Sequence, residues 1–299
     1  MKITITGSLG NVAKPLTKQL ISAGHQVTVI SHTDARRADI EALGAKAAIG
    51  SVSDAAFLKN AFTGADAVFA MVPPAMGGGN IVVNTGLAGE AIAATIKASG
   101  VKRVVMLSSV GADLPDGNGP IAGLYKVEHH FHELKDVSVT FLRAGYFYLN
   151  FYNDVPMIKA MNMMGGNFAG DTMLPLVHPE DIATAAAQEL QGRSTGKTVR
   201  YIVSDLRTPA ELAKVLGAAI GKPELPWVEF SDEDAMQGMK QAGLPEEMAG
   251  LYTEMGRGFR NGSIPKHYQE VGKPVQGNIK LETFAKAFAA QFSGVGVAG

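Results

Sequence analysis

The sequence predicts an α/β fold in which a doubly wound parallel sheet carries a smaller, mostly helical lobe toward the C-terminus. Two observations support this prediction. Short apolar runs rich in β-branched residues alternate with segments of helical spacing from Met1 to about Ser109, and this alternation is typical of right-handed β-α-β crossovers. The runs are apolar at nearly every position, as in QVTVIS at 26–31, which predicts strands that are buried on both faces.

The predicted elements follow one another in a regular order. Val12, Leu16 and Leu20 recur at helical spacing after the first strand, and Gly24 ends that helix. The predicted strands cover 2–6, 26–31, 46–49, 67–71, 103–107, 138–142 and 198–203. The other predicted helices cover approximately 36–43, 54–62, 83–98 and 181–190, with one more that passes through Lys126 and His132.

A change of rhythm after residue 109 suggests the domain organisation. We predict a first domain, of the Rossmann type, over 1–153, to whose sheet a strand at 198–204 returns. The segments 154–197 and 205–292 are rich in Met, Asn and Gly and then in helices separated by Pro, and they are predicted to form the smaller substrate lobe. The small, Gly-rich residues 293–299 have little to bury and are predicted to be a flexible tail.

Composition restricts the class of partner. The 27 basic residues are balanced by 28 acidic ones, so no basic surface is expected to attract nucleic acid or anionic lipid. No apolar run of about 18 residues indicates a membrane span, and the chain opens on a strand without a leader. The absence of Cys is typical of a reducing cytoplasm. We therefore expect a cytoplasmic protein whose partner is a small-molecule substrate, and leave a homodimer open.

The strongest local signal is TGSLGNVA at 6–13, which lies between the first strand and the first helix. Gly7 permits a tight turn, Gly10 lets the backbone approach a pyrophosphate, and Ala13 keeps the helix near the strand. Amide groups at the helix start would face the anion. Gly-rich turns also occur without ligands, so the position between strand and helix is what makes this signal informative. The predicted contacts are Gly7, Ser8, Leu9, Gly10, Asn11 and Val12.

The end of the second strand indicates which dinucleotide is bound. NAD-binding domains usually carry Asp or Glu there, to accept a hydrogen bond from the ribose 2′-hydroxyl, whereas this chain has Ser31 and His32 and no carboxylate before Asp34. Arg36 and Arg37 follow within one turn, and a guanidinium can bind a 2′-phosphate through two hydrogen bonds. Alternatively, both arginines only cover a solvated helix face. We predict NADPH rather than NAD, with His32, Arg36 and Arg37 as contacts.

In the order of its motifs the chain resembles the NmrA-like branch of the atypical short-chain dehydrogenase/reductase family. That family's opening TGxxGxxG corresponds to 6–13, with Ala13 in place of the last Gly, and its basic residue after the second strand corresponds to His32. The later matches are Ser108-Ser109-Val110-Gly111, Lys126-Val127-Glu128, Leu142-Arg143 through Phe147 to Asn150, and Asp181-Ile182-Ala183. The resemblance implies an NAD(P)-binding fold whose members range from NAD(P)H-dependent reductases, some acting on quinones, to cofactor-sensing regulators without catalysis.

The resemblance also implies further cofactor contacts. Met71 and Pro73 end the fourth strand, where the backbone meets the cofactor in such folds. Ser108 lies in the Ser-Ser-x-Gly motif and Lys126 in the helix that follows. Tyr146 follows the sixth strand, near the carboxyl ends of the strands, where open α/β sheets bind ligands. We predict all five as cofactor contacts.

The catalytic set that the resemblance implies is incomplete. Reductases of the wider family use a Ser, a Tyr and a Lys four residues after the Tyr, and the matching positions here are Ser109, Ala122 and Lys126. Tyr125 cannot simply replace the missing Tyr, because neighbouring helix residues point about 100° apart. Lys126 and Tyr146 remain the candidate catalytic residues, although Tyr146 would alternatively only line the cleft. His129, His130 and His132 lack further ligands, so no metal site is predicted.

Two functional hypotheses follow from these observations. The first is an NADPH-dependent oxidoreductase that transfers a hydride to a small apolar carbonyl, enone or quinone. A quinone is reduced without an elaborate acid, because the cofactor carries the chemistry and the protein positions it. The second is a non-catalytic regulator that senses NADP(H) and acts through a protein partner, which the missing tyrosine favours.

Overall fold

The computed structural model describes residues 1–72 and 79–294. Its strands are β1 (Lys2–Ile5), β2 (Gln26–Ser31), β3 (Lys46–Ile49), β4 (Ala67–Ala70), β5 (Arg103–Ser109), β6 (Ser138–Ala144), β7 (Tyr146–Phe147), β8 (Met164–Gly166), β9 (Leu174–Val177), β10 (Lys197–Ile202), β11 (Asp205–Arg207) and β12 (Trp227–Glu229). Its α-helices are α1 (Ala13–Ser22), α2 (Arg37–Ala42), α3 (Ala55–Phe62), α4 (Ile81–Ser99), α5 (Ile121–His132), α6 (Val155–Met161), α7 (Pro179–Gln191), α8 (Pro209–Ala219), α9 (Asp232–Gln241), α10 (Glu246–Arg260), α11 (Lys266–Glu270) and α12 (Leu281–Phe292). Short 3-10 helices cover Asp34–Arg36 and Tyr148–Asp154.

Seven strands of the described ranges form one parallel sheet, in the order β10-β6-β5-β4-β1-β2-β3. The predicted fold class, a doubly wound parallel sheet, is confirmed. The chain runs outward from β1 to β3 on one side and from β4 to β10 on the other, so the order reverses between β1 and β4. Ligands of open α/β sheets bind at the carboxyl ends of the strands beside such a reversal.

Helices cover both faces of the sheet, as its apolar strands require. On one face, β1 and β2 pack against α1 and α7, around buried residues such as Leu16 and Ile182. On the other face, β4 and β5 pack against α3, α4 and α5, around residues such as Phe62 and Phe131. Helix α7 therefore covers the sheet, although its residues fall in a range that the sequence analysis assigned to the substrate lobe.

Helix α4 is, within the described residues, long and apolar enough to cross a membrane by length and composition. In the fold it packs closely against α5. A Cβ on Gly89 would meet Val127 at 2.5 Å, and a Cβ on Gly123 would meet Thr85 at 2.7 Å, so the two helices approach closely where side chains are absent. A helix that is buried in a protein core can have the same length and hydropathy as a helix that crosses a membrane.

A second core lies beyond the carboxyl edge of the sheet. It is built from α8, α10, α12 and the 3-10 helix 148–154, around aromatic residues such as Tyr148, Phe284 and Phe288. Two small sheets complete this lobe, one of β11, β9 and β7 and one of β12 and β8. Strand β10 pairs with β6 in the main sheet, in parallel from Lys197 opposite Val139.

Candidate cofactor and substrate site

The turn between β1 and α1 is held in place by the end of β4. The Thr6 hydroxyl donates a hydrogen bond to the Met71 carbonyl at 2.8 Å and accepts one from the Met71 amide at 2.7 Å. Gly7 has a φ of +99°, and a Cβ at this position would clash with the Met71 side chain. Gly7 is therefore required by the fold itself, and Met71 lies beside the turn.

Gly10 differs from Gly7, because neither its backbone conformation nor its neighbouring atoms require a glycine. Its φ is not in the left-handed region, and a Cβ would meet nothing closer than the Gly7 carbonyl oxygen at 3.5 Å. Gly10 and Asn11 are exposed. The space over Gly10 is thus open, as a turn that lets a pyrophosphate approach its backbone requires.

The amide groups of this turn are also available to an anion. Those of Leu9, Gly10, Asn11 and Val12 donate no hydrogen bond to any residue that the structure describes. They precede the ten-residue helix α1, whose N-terminus carries partial positive charge. Donors without protein acceptors at a helix start fit the pyrophosphate of a dinucleotide. Ser8 is already engaged, since its amide donates to the Ile30 carbonyl at 2.9 Å and its hydroxyl to Ser31 at 3.1 Å.

The predicted 2′-phosphate contacts lie together after β2. His32, Arg36 and Arg37 are all exposed. The Arg37 Nε donates to Asp34 at 2.8 Å, and Arg36 reaches Asp39 only at 3.5 Å. Hydrogen bonding and charge from Asp34 raise the pKa of the Arg37 guanidinium above its ordinary value. Solvent screens exposed ion pairs of this kind, so a phosphate can compete for either arginine.

The Ser108 side chain is directed into the protein interior. Its side chain is buried, and its hydroxyl donates to a carboxylate oxygen of Glu128 at 2.5 Å. The same carboxylate receives two hydrogen bonds from Arg143, at 3.0 and 2.7 Å. Arg143 also contacts Asp113 at 3.3 Å and the Tyr201 hydroxyl at 3.2 Å. The Ser108 hydroxyl therefore belongs to a buried ion-pair network that joins β5, α5 and β6.

Lys126 lies on α5, and its side chain extends over α4. It is exposed, and its aliphatic stem covers Gly86, where a Cβ would meet it at 2.9 Å. It lines a shallow groove with Val83, Leu87 and Tyr125. Ala122, at the position of the missing tyrosine, is buried. Among the residues that the structure describes, Lys126 and Tyr146 line two different cavities.

Tyr146 lines a cavity of about 1270 Å³ between the carboxyl edge of the sheet and the C-terminal lobe. Ile81, the first residue of α4, and Gly79 just before that helix line it too, so the cavity shares the edge of the sheet at which the β1 turn lies. Most of the remaining wall is apolar or aromatic. It includes Phe151, Tyr152, Met157, Met161, Phe168, Trp227, Phe230, Met239, Met248, Tyr252 and Met255.

Polar side chains also line this cavity, and Asn150 and Asp154 are those that act on the Tyr146 hydroxyl. Burial, with the nearby Asp154 carboxylate, raises the pKa of the Tyr146 hydroxyl well above its ordinary value, while the Asn150 side chain opposes the shift. Burial raises the pKa of Asp154 to about 7 and also raises that of Tyr252. Tyr146 thus keeps its proton at neutral pH and can donate a hydrogen bond to a ligand oxygen.

Three polar residues of the cavity were not predicted from the sequence: Asn150, Asp154 and Tyr252. Tyr146, Asn150 and Asp154 are four residues apart, but they lie on β7 and a 3-10 helix, so no α-helical periodicity reveals them. Tyr252 comes from α10, more than one hundred residues later. Pro73 lies outside the described residues. Of the three histidines, His132 stacks on Phe141 with ring centroids 4.6 Å apart.

The sheet order, the β1 turn with its available amides, and the cavity at the same edge define a dinucleotide-binding protein of the Rossmann class. Residues 7–147 match the sequence model of a family described as NAD(P)H-binding. The predicted resemblance is confirmed at this level.

Relatives of similar length match nearly the whole chain. An NAD(P)H azoreductase from Xenophilus azovorans is 25% identical over 97% of this chain and 99% of its own. An NADPH-dependent quinone oxidoreductase from Escherichia coli superposes with a TM-score of 0.79 at 21% identity, over 95% of this chain and 98% of that one. The Citrobacter triphenylmethane reductase, solved with NADP(H), gives 0.80 at 19%, over 96% and 99%. At these identities the structural matches show a shared fold.

Proposed function

We propose that the protein is an NADPH-dependent oxidoreductase that reduces an organic hydride acceptor held in the cavity beside Tyr146. The observation that carries the proposal is that a large apolar cavity opens at the same edge of the sheet as the β1 turn, whose amides have no acceptor among the described residues. The NADPH-dependent quinone oxidoreductase and the azoreductase named above, which resemble this chain over nearly its full length, support it.

Each part of the site has a separate role in this proposal. Gly10 and the amides of Leu9 to Val12 would hold the pyrophosphate, and His32, Arg36 and Arg37 would bind the 2′-phosphate. When bound, NADPH supplies a hydride from its reduced nicotinamide. The apolar wall excludes water from the reacting atoms, and Tyr146 donates a hydrogen bond to the acceptor. A carbonyl, enone or quinone acceptor would use that hydrogen bond.

The test is steady-state NADPH oxidation with a panel of quinones, enones and aldehydes. We expect at least one quinone to accelerate NADPH consumption, and Tyr146→Phe to lower kcat for carbonyl acceptors by about tenfold, since one hydrogen bond to developing charge is lost. If no member of the panel accelerates oxidation, the proposal fails.

A sensor of NADP(H) without turnover is the second candidate, and the buried Ala122 favours it. It predicts that NADP⁺ and NADPH bind with different effects on a protein partner, and that no acceptor is reduced. Location in the cytoplasm and assembly as a homodimer stay predictions, which cell fractionation and light scattering would test.

A further inference from the structure

A buried hydroxyl at the end of β2 joins the two segments that the cofactor phosphates would contact. The side chain belongs to Ser31, which is 1% exposed. Its hydroxyl accepts a hydrogen bond from the Ser8 hydroxyl at 3.1 Å and donates one to the Thr33 carbonyl at 3.1 Å. The Thr33 amide donates to the same oxygen at 3.4 Å. A serine hydroxyl has one donor and two acceptor positions, so these three contacts leave none for a ribose hydroxyl of the cofactor.

On one side of this hydroxyl lies the β1 turn. Ser8 has a φ of +56°, a left-handed conformation that residues other than glycine adopt only where their surroundings hold them. The Ser8 amide donates to the Ile30 carbonyl at 2.9 Å, and its hydroxyl donates to Ser31. Both acceptors belong to the last two residues of β2. They fix the residue that directly precedes the amides of Leu9 to Val12.

On the other side lies the short 3-10 helix after β2, which carries Arg36. Thr33 is the N-cap of this helix, and the Thr33 hydroxyl accepts a hydrogen bond from the Ala35 amide at 3.3 Å. The Thr33 carbonyl, which accepts the Ser31 hydroxyl, also accepts the Arg36 amide at 3.4 Å. His32 lies between Ser31 and Thr33 in the chain. The position of Ser31 therefore sets the position of His32 and of the backbone that carries Arg36.

We propose that Ser31 is a positioning residue that determines the preference for NADPH over NADH, by fixing the spacing between the β1 turn and the 2′-phosphate contacts. The inference rests on the phosphate contacts of the proposed function and does not require the hydride transfer. NADPH would engage both segments at once, and the second contact adds to the first only where the two are held at the span of the ligand. A fixed spacing also avoids the cost of ordering the segments when the ligand binds. NADH lacks the 2′-phosphate, so it gains nothing from this spacing.

The experiment is a calorimetric titration of Ser31→Ala with three ligands: NADPH, NADH and adenosine 2′-monophosphate. Of the two segments, NADPH engages both, NADH only the β1 turn, and the monophosphate only the residues after β2. We expect Ser31→Ala to weaken NADPH about five- to tenfold, the equivalent of one hydrogen bond. The dissociation constants of NADH and of the monophosphate should stay within about twofold of wild type. A residue with only a structural role would weaken all three ligands alike.

Two further variants keep the test independent of how well Ser31→Ala folds. Ser8→Gly suits the φ of +56° at that position and removes the same hydrogen bond from its other end, so it should lower the preference for NADPH in the same direction. Ser99→Ala is the matched control. It removes a serine hydroxyl at the end of α4, which donates to the Ile96 carbonyl at 3.0 Å, and should change none of the three dissociation constants.

The possible outcomes separate this inference from the proposed function. Equal losses of NADPH and NADH in Ser31→Ala, or a loss of the monophosphate as large as that of NADPH, would overturn the inference. Wild-type affinity for NADPH in both Ser31→Ala and Ser8→Gly would overturn it too. The titrations need no turnover, so if they give the expected pattern while no acceptor in the panel is reduced, only the proposed reaction fails. Reduction of an acceptor together with equal losses of the two cofactors would keep the proposed function and remove this role of Ser31.

Discussion

Gly7 and Gly10 occupy the same turn for different physical reasons, and two substitutions should separate them. Gly7→Ala places a side chain at a φ of +99° against Met71, so we expect a loss of about 1 to 3 kcal/mol in the free energy of unfolding. Gly10→Ala should change that free energy by less than about 0.5 kcal/mol but weaken NADPH about tenfold, because its Cβ enters the space of the pyrophosphate. Urea unfolding and calorimetric titration measure the two effects. Unchanged NADPH affinity in Gly10→Ala would contradict the placement of the pyrophosphate.

Arg36 and Arg37 should decide between the two dinucleotides. Replacing both with Ala is expected to weaken NADPH about 10- to 100-fold, since charge-assisted hydrogen bonds contribute about 1.5 to 3 kcal/mol, and to leave NADH nearly unchanged. Arg36→Ala alone should have the larger single effect, because Arg37 is already held by Asp34 at 2.8 Å. Dissociation constants for both cofactors test this, with the exposed Arg193→Ala as control. An equal loss for NADH and NADPH would refute it.

Among the elements, β5, α5 and β6 are joined by the buried contact of Glu128 with Arg143. Glu128→Gln leaves the Arg143 charge buried without its main partner, so we expect the free energy of unfolding to fall by about 3 to 5 kcal/mol. Ser108→Ala removes one hydrogen bond and should cost about 1 kcal/mol. Glu133→Gln, at an exposed contact with His129, is the matched control and should have little effect. Denaturant unfolding followed by circular dichroism gives all three values.

The same network raises the question of whether the Ser108 hydroxyl contacts the cofactor or only Glu128. If its hydroxyl serves only the network, Ser108→Ala should leave the dissociation constant of NADPH within about twofold of wild type. A tenfold loss of NADPH affinity would instead support the contact predicted from the sequence. Calorimetric titration of the variant decides between these roles.

For the whole molecule, cofactor binding should appear as added stability. A ligand at 100 times its dissociation constant stabilises the folded state by about 2.7 kcal/mol. In a chain of this size that corresponds to a rise of roughly 4 °C in Tm, because the entropy of unfolding is about 2.1 cal/mol/K per residue. We expect NADPH to raise Tm more than NADH at the same concentration. The Arg36→Ala/Arg37→Ala variant should remove the difference, and equal shifts for both cofactors in the wild type would argue against NADPH preference.

How much of the site was predictable depends on how far apart its residues lie in the chain. The β1 turn was predictable because its strand, glycines and helix are contiguous, and local backbone geometry determines their arrangement. Lys126 and Tyr146 both stay predicted cofactor contacts, and in the fold Lys126 lines the groove over α4 while Tyr146 lines the large cavity. The reason is packing: the close approach of α4 and α5 at Gly89 and Gly123 orients α5, and with it the direction of the Lys126 side chain.

The amino-acid sequence alone determined the fold class and the dinucleotide-binding turn, because apolar strands, helical spacing and Gly7 act through local geometry and burial. Only the tertiary structure decided what lies beside that turn. The cavity joins residues after β6 with α9 and α10. Tertiary packing also decides which of its carboxylates accept hydrogen bonds from other parts of the chain, as Glu247 does from the Ile81 amide. No described residue forms a hydrogen bond or an ion pair with the Asp154 carboxylate, and that property belongs to the assembled fold and not to any segment of the chain.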